Sequence, residues 1–188
     1  MKTLVVLIAT AIALGTGAAI GKECKGIQFP DQIQVDGSAL SLNGLGLRQA
    51  TVLKVNVYVA ALYVPKTSSD PAVLLPGAPK ELVMHFVRDV GGEDLKKAWI
   101  EGFEKNAKGE LPALKDRIAT LNGWMTDMKT GQRITFVHKE GAVEVSVGGS
   151  AKGTIKGEDF AHALFSIWLG PEPPNPEIKT GLLGGPCG

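Results

Sequence analysis

Leu42 to Tyr63 reads LNGLGLRQATVLKVNVYVAALY, and the fold turns on this stretch. It holds two strands, the first entered through a glycine-softened turn at Asn43-Gly44 and closed by Arg48. From Val55 the residues are nearly all β-branched, aromatic or small, and Asn56 is the one clear polar interruption. Such a strand is buried on both faces or lines a cavity, because a solvated face would impose polar alternation. An arginine introducing the pair has two readings. It meets an anion in a cleft, or it is a solvated or structurally paired residue, with Asp89 and Asp36 as candidate partners.

Outward from this stretch, short extended pieces are expected at Gly26–Pro30 and Gln32–Val35, with Asp36-Gly37 as a turn. Downstream, Ser69-Asp70-Pro71 opens a short helix ended by Pro76-Gly77. Lys80 to Arg88 reads as a strand. Leu95, Trp99 and Phe103 then fall at helical spacing, and a second helix is expected over roughly Ala113–Met128. Strands at Arg133–His138, Ala142–Val147 and Lys152–Ile155 make two hairpins through Lys139-Glu140-Gly141 and Gly148-Gly149. A very apolar helix over Glu158–Leu169 and a short one over Glu177–Leu183 complete the order. Strands, a helical pair, a meander and a helix give an α+β fold, an antiparallel sheet with helices gathered on one face.

The 188 residues suit one domain with a substantial core, and no repeat or linker divides them. A formal net charge of +1 gives no basic excess, so no nucleic-acid partner is expected. Met1-Lys2, the apolar run Leu4–Leu14 and the small residues Gly15–Ala19 have the order of a secretory signal. The expected division is therefore a signal peptide over 1–21 and one domain over 22–188, with no membrane span in the mature chain. The alternative is an uncleaved anchor. The implied location is periplasmic or secreted. In that oxidising setting Cys24 and Cys187 most simply form one disulfide, and two free thiols are the alternative.

Several strings together resemble the chalcone isomerase family: Phe29-Pro30, Leu42–Arg48, Lys54–Tyr63, Trp99–Phe103, Thr154–Phe160 and Ala163–Gly170. The exported bacterial branch is the nearest pattern, and the likeness runs nearly the length of the mature chain. It implies an open-faced β-sandwich, a large antiparallel sheet under a layer of helices with a ligand cleft between. It also implies roles. Arg48 falls on the family's active-site arginine, and Tyr58 on the tyrosine that joins it at a carboxylate in the fatty-acid-binding relatives. The positions of the plant enzymes' catalytic-site tyrosine, asparagine and late-helix serine or threonine fall near Leu95, Gly102 and Ile167. Chalcone-cyclising chemistry is therefore not expected.

The leading expectation is a non-enzymatic exported protein that binds an amphipathic, fatty-acid-like carboxylate. Arg48 and Tyr58, with His85 as a further candidate, would hold the head group, and no cofactor is required. Three alternatives stay open. Arg48 stabilises an enolate in an isomerase or lyase, with Tyr58 or His85 as acid–base. The cleft holds a tetrapyrrole such as haem, with His85 as ligand. Or the module serves a protein partner. His85, His138 and His162 lack zinc-site spacing, so no metal is expected.

Overall fold

The computed structural model describes residues 21–75 and 77–188. The signal segment expected over 1–21 lies outside them, save Gly21. Nine strands and five helices are described, in the order β1 Lys22–Cys24, β2 Ile27–Phe29, β3 Gln32–Val35, β4 Ser38–Ala50, β5 Val55–Val64, α1 Pro71–Leu74, β6 Lys80–Phe86, α2 Gly92–Asn106, α3 Leu111–Gly123, β7 Arg133–Lys139, β8 Ala142–Val147, β9 Ser150–Lys156, α4 Glu158–Leu169 and α5 Pro176–Leu182. Strands β3 to β9 form one antiparallel sheet in sequence order, and β1 pairs with β2 as a separate hairpin. This is the expected open-faced α+β architecture.

Four hairpins turn on two residues ending in glycine with positive φ: Lys25-Gly26, Asp36-Gly37, Glu140-Gly141 and Gly148-Gly149. That turn matches the right-handed strand twist, and the left-handed angles it needs cost glycine nothing. The β4–β5 turn is different, a four-residue tip, Thr51 to Lys54, with no glycine.

Strand β5 is buried from Tyr58 to Val64, as its composition demands. Tyr58, Ala60, Leu62 and Val64 join the core under the helices, with Phe103, Leu164, Phe165 and Trp168. Val59, Ala61 and Tyr63 face the other way, into a smaller core with Phe29, Leu45, Leu47 and Cys24. The β1–β2 hairpin and the C-terminal tail cover this second face. The Cys24–Cys187 disulfide joins them, with Cα atoms 6.0 Å apart, and Leu47 N–H donates to the Cys187 carbonyl at 3.0 Å. The tail thus occupies an edge of β4 that β3 leaves unpaired, which blunts an aggregation-prone edge.

Asn43-Gly44 is not the turn its dipeptide suggests. Strand β4 runs through it, and the pairing shifts between Leu42 and Gly44, so Asn43 sits in a bulge. Its buried amide donates to the Leu182 carbonyl at 2.7 Å and the Ser68 carbonyl at 3.0 Å, and accepts from Ser68 N–H at 2.7 Å. Gly44 and Gly46 both lie within β4. A Cβ on Gly44 would be driven into the Gly181 carbonyl, and one on Gly46 into that of Ile178. Their bare backbone is what lets α5 lie on β4. Helix α3 ends at Gly123, short of the expected Met128, because Trp124 leaves the helix and the chain pairs Met128 with Val90.

One polar group in the core has no sequence forewarning. Lys80 is buried, with its Nζ 3.2 Å from His138 Nδ1 and 5.3 Å above the Phe165 ring. His138 Nε2 lies 3.1 Å from Glu158 Oε2 at the surface. Burial pulls the Lys80 ammonium down to about 8, against a smaller opposing effect of Glu158.

Candidate functional site

Strand geometry brings Arg48 and Tyr58 together. They are direct cross-strand partners on β4 and β5, on the face that looks toward the helices. Just past them the register shifts, so Gln49 pairs with Asn56 and Val57 is left in a bulge. Asn175, ahead of α5, pins this irregularity by accepting from Gln49 N–H at 3.2 Å and donating to the Leu47 carbonyl at 3.1 Å.

Between this part of the sheet and α2 lies a cleft of about 510 Å³, within the size range of small-molecule sites. Arg48, Tyr58, Met84, Leu95, Trp99, Gly102 and Ile167 line it. Its rim carries Arg88, Asp89, Asp94, Glu101, Lys105 and Glu172, all exposed. The interior wall is thus apolar, with Arg48 and Tyr58 as polar groups on the sheet side.

Arg48 is half-buried. Its Nη1 donates to the Gln49 carbonyl, to the Pro174 carbonyl at 2.9 Å and to Asn175 Oδ1 at 3.4 Å. Among the described residues no carboxylate forms an ion pair with it. Asp89 is engaged by Lys129 at 2.8 Å and by Thr130 N–H at 2.9 Å, and those bonds hold its carboxyl down at about 2. Asp36 pairs with Lys139. The two carboxylates considered as structural partners for Arg48 are therefore committed elsewhere, and among the described residues Nη2 and Nε make no hydrogen bond, with Glu101 at the rim as the carboxylate that feels the Arg48 charge.

Tyr58 is buried, and its hydroxyl accepts from Trp168 Nε1 at 2.9 Å. Burial raises the phenol to about 12, with the Trp168 bond and the Arg48 charge opposing. The group stays protonated across neutral pH and keeps its O–H available to donate. The indole was invisible to sequence reasoning because its donor sits 110 positions away on another element.

The remaining sequence candidates divide. Leu95, Gly102 and Ile167 do line the cleft. Gly102 packs so tightly that a Cβ there would come within 2.8 Å of Ile167 Cγ2. His85 does not join them. It pairs with Val59 and Arg133, so it projects to the opposite face, where Arg133 Nε donates to its Nδ1 at 3.0 Å and Phe29 meets it edge-on. Burial, then the Arg133 charge, pulls its pKa below the usual histidine value. From there His85 cannot ligate a macrocycle or transfer a proton in this cleft. Among the described residues no cluster of three or more His, Cys, Asp or Glu side chains could hold a metal ion, and no helix is long and apolar enough to cross a membrane.

Comparisons with known proteins agree with the fold. A family model described as chalcone isomerase-like matches residues 21–184. Among solved structures, the crystal structure of an Arabidopsis thaliana fatty-acid binding protein superposes with a TM-score of 0.65 at 15% identity, covering 87% of this chain and 95% of that one. At that identity the likeness is one of fold. No curated protein matches the sequence.

Proposed function

This chain belongs to the chalcone isomerase-like family, and we propose that within it the protein is an exported binding protein for an amphipathic carboxylate of fatty-acid type. The observation that carries the proposal is the pairing of Arg48 with Tyr58 at the wall of an apolar cleft, where among the described residues no carboxylate forms an ion pair with the arginine and Glu101 at the rim is the carboxylate that feels its charge. A guanidinium offers a planar fork to a carboxylate, and a neutral phenol adds a third donor to the same oxygens. Leu95, Trp99, Met84 and Ile167 supply an apolar wall for a hydrocarbon body. The fold shared with a fatty-acid binding protein supports the same reading without specifying a ligand.

Binding is favoured over the lyase alternative by what surrounds Arg48. Of the two acid–base candidates, His85 faces away, and Tyr58 titrates too far above neutrality to exchange protons readily there. The tetrapyrrole alternative loses its proposed ligand with His85.

Native mass spectrometry with an absorption spectrum, on protein purified from its own cells, tests the proposal. Wild type should carry a carboxylate-bearing lipid that Arg48→Ala lacks. Cargo retained equally by both proteins, or a Soret band, would overturn it.

A further inference from the structure

Val52 and Leu53, exposed at 97% and 82%, are the most exposed large apolar side chains among the described residues. They stand side by side at the tip of the β4–β5 hairpin. That hairpin projects. Strand β3 pairs with β4 only at Ser38–Ser41, and β6 pairs with β5 only at Tyr58–Tyr63, so among the described residues Gln49 to Asn56 has no strand on either side. Gln49 braces the ribbon by donating to the Lys54 carbonyl at 3.1 Å and to Asn56 Oδ1 at 2.9 Å.

The tip is expensive as a turn. The four two-residue hairpins each close on a positive-φ glycine, preceded by Lys25, Asp36, Glu140 or Gly148 also at positive φ, whereas the β4–β5 tip has no glycine and places β-branched Thr51 at φ 62°. For a β-branched residue that is a steric outlier. Strain of this kind, beside two aliphatic side chains left in water, persists where the arrangement serves a function. The tip's base leads directly into the cleft, since Ala50, Thr51, Val55 and Val57 line its mouth.

We propose that the Val52–Leu53 tip is a lipid-docking element that enters the interfacial layer of a phospholipid surface and seats the cleft mouth against it. The cargo then passes between bilayer and cleft without crossing water, a role that rests on the fatty-acid reading above. The size of the patch selects this occupant. A stable protein interface needs about 800 Å² from each partner, far more than two side chains present, whereas a bilayer accepts an aliphatic tip of any shape. Lys54, directly after the tip and largely exposed, is placed for the phosphate layer, with Glu177 3.5 Å from its ammonium as the competing anion. Docking by so small an anchor is shallow and reversible, as ligand exchange requires.

The test is flotation with extruded vesicles of phosphatidylcholine and phosphatidylglycerol at about 70:30, a composition that reports both insertion and surface charge. Wild type is compared with Val52→Asp/Leu53→Asp, whose changes touch no core contact, and dodecanoate binding is titrated in vesicle-free buffer for both. Wild type should partition onto vesicles and the double variant at least about tenfold less, in line with the cost of placing charge in apolar lipid, with equal dodecanoate affinity. No partitioning by wild type, or equal partitioning by both, overturns the proposal. So does a concentration-dependent dimer that the double variant dissolves without any vesicle binding, which would assign the tip to a second copy. Dodecanoate binding without partitioning removes the tip and leaves the cleft. Partitioning without dodecanoate binding removes the cleft reading and leaves the tip.

Discussion

Tyr58 illustrates how a buried hydroxyl is kept for a ligand. Its oxygen accepts from Trp168, which leaves its own proton to donate, and burial keeps that proton in place to about 12. Tyr58→Phe should therefore weaken dodecanoate binding by about tenfold or more, the value of one hydrogen bond to a charged group of about 1.5–3 kcal/mol, as measured by calorimetric titration. Lys80 supports a prediction of a different kind. Its ammonium is disfavoured in the fold, so from about pH 8 upward the unfolded chain binds more protons than the folded one, and stability rises with pH. Above about pH 10 the sign reverses, because Tyr58 and Tyr63 hold their protons to about 12 in the fold and to the ordinary tyrosine value of 10.0 when unfolded. Urea midpoints should climb between those limits in wild type and stay flat in Lys80→Met. Parallel slopes would place the titration elsewhere. That Arg48 and Tyr58 lie together at the cleft followed from the family resemblance, whereas the side taken by His85 was not legible. With apolar residues on both faces of β6, parity is unreadable until the pairing with Val59 is known.

At the scale of elements, the close seat of α5 on β4 depends on Gly44, Gly46 and Gly181. Gly46→Ala would push a methyl into the Ile178 carbonyl, so α5 must lift and carry Asn175 away from Arg48. A loss of about 1–3 kcal/mol is expected for such overpacking, read by chemical denaturation, with reduced dodecanoate affinity. Gly109→Ala, where an added Cβ meets nothing within 4 Å, serves as the neutral control. Helix α4 and strand β8 were legible to the residue, since long runs with one period and clear stops leave little choice. Asn43-Gly44 misled for a physical reason. The dipeptide is the strongest local turn signal, yet tertiary partners at Leu182 and Ser68 satisfy Asn43 and hold it in a bulge. Those partners lie 139 and 25 positions away, beyond any local pattern.

Over the whole molecule, the Cys24–Cys187 disulfide ties ends separated by 163 residues. Loss of such a bridge typically costs about 2–5 kcal/mol. The cost should appear as a lower urea midpoint for Cys24→Ser/Cys187→Ser, with fraying of β1, β2 and the tail along β4 seen by hydrogen exchange. The cleft lies on the other face of the sheet, so dodecanoate affinity should survive in the fraction that stays folded. The antiparallel sheet and the layer of helices followed from the order of elements, whereas the strand order was not legible before the pairing was known. The cleft did not, because its wall is assembled from β4, β5, β6, α2 and α4, and only the family resemblance foretold that they enclose one.

The central claim is that Arg48 receives a carboxylate head in an otherwise apolar cleft. The most direct measurement is a calorimetric titration of dodecanoate and its methyl ester into wild type and Arg48→Ala. Wild type should prefer the acid by about 10–100-fold, the worth of a charge-assisted bond of about 1.5–3 kcal/mol, and the variant should bind both ligands equally weakly. Equal affinity of wild type for acid and ester, or an acid preference that survives in Arg48→Ala, would contradict the account.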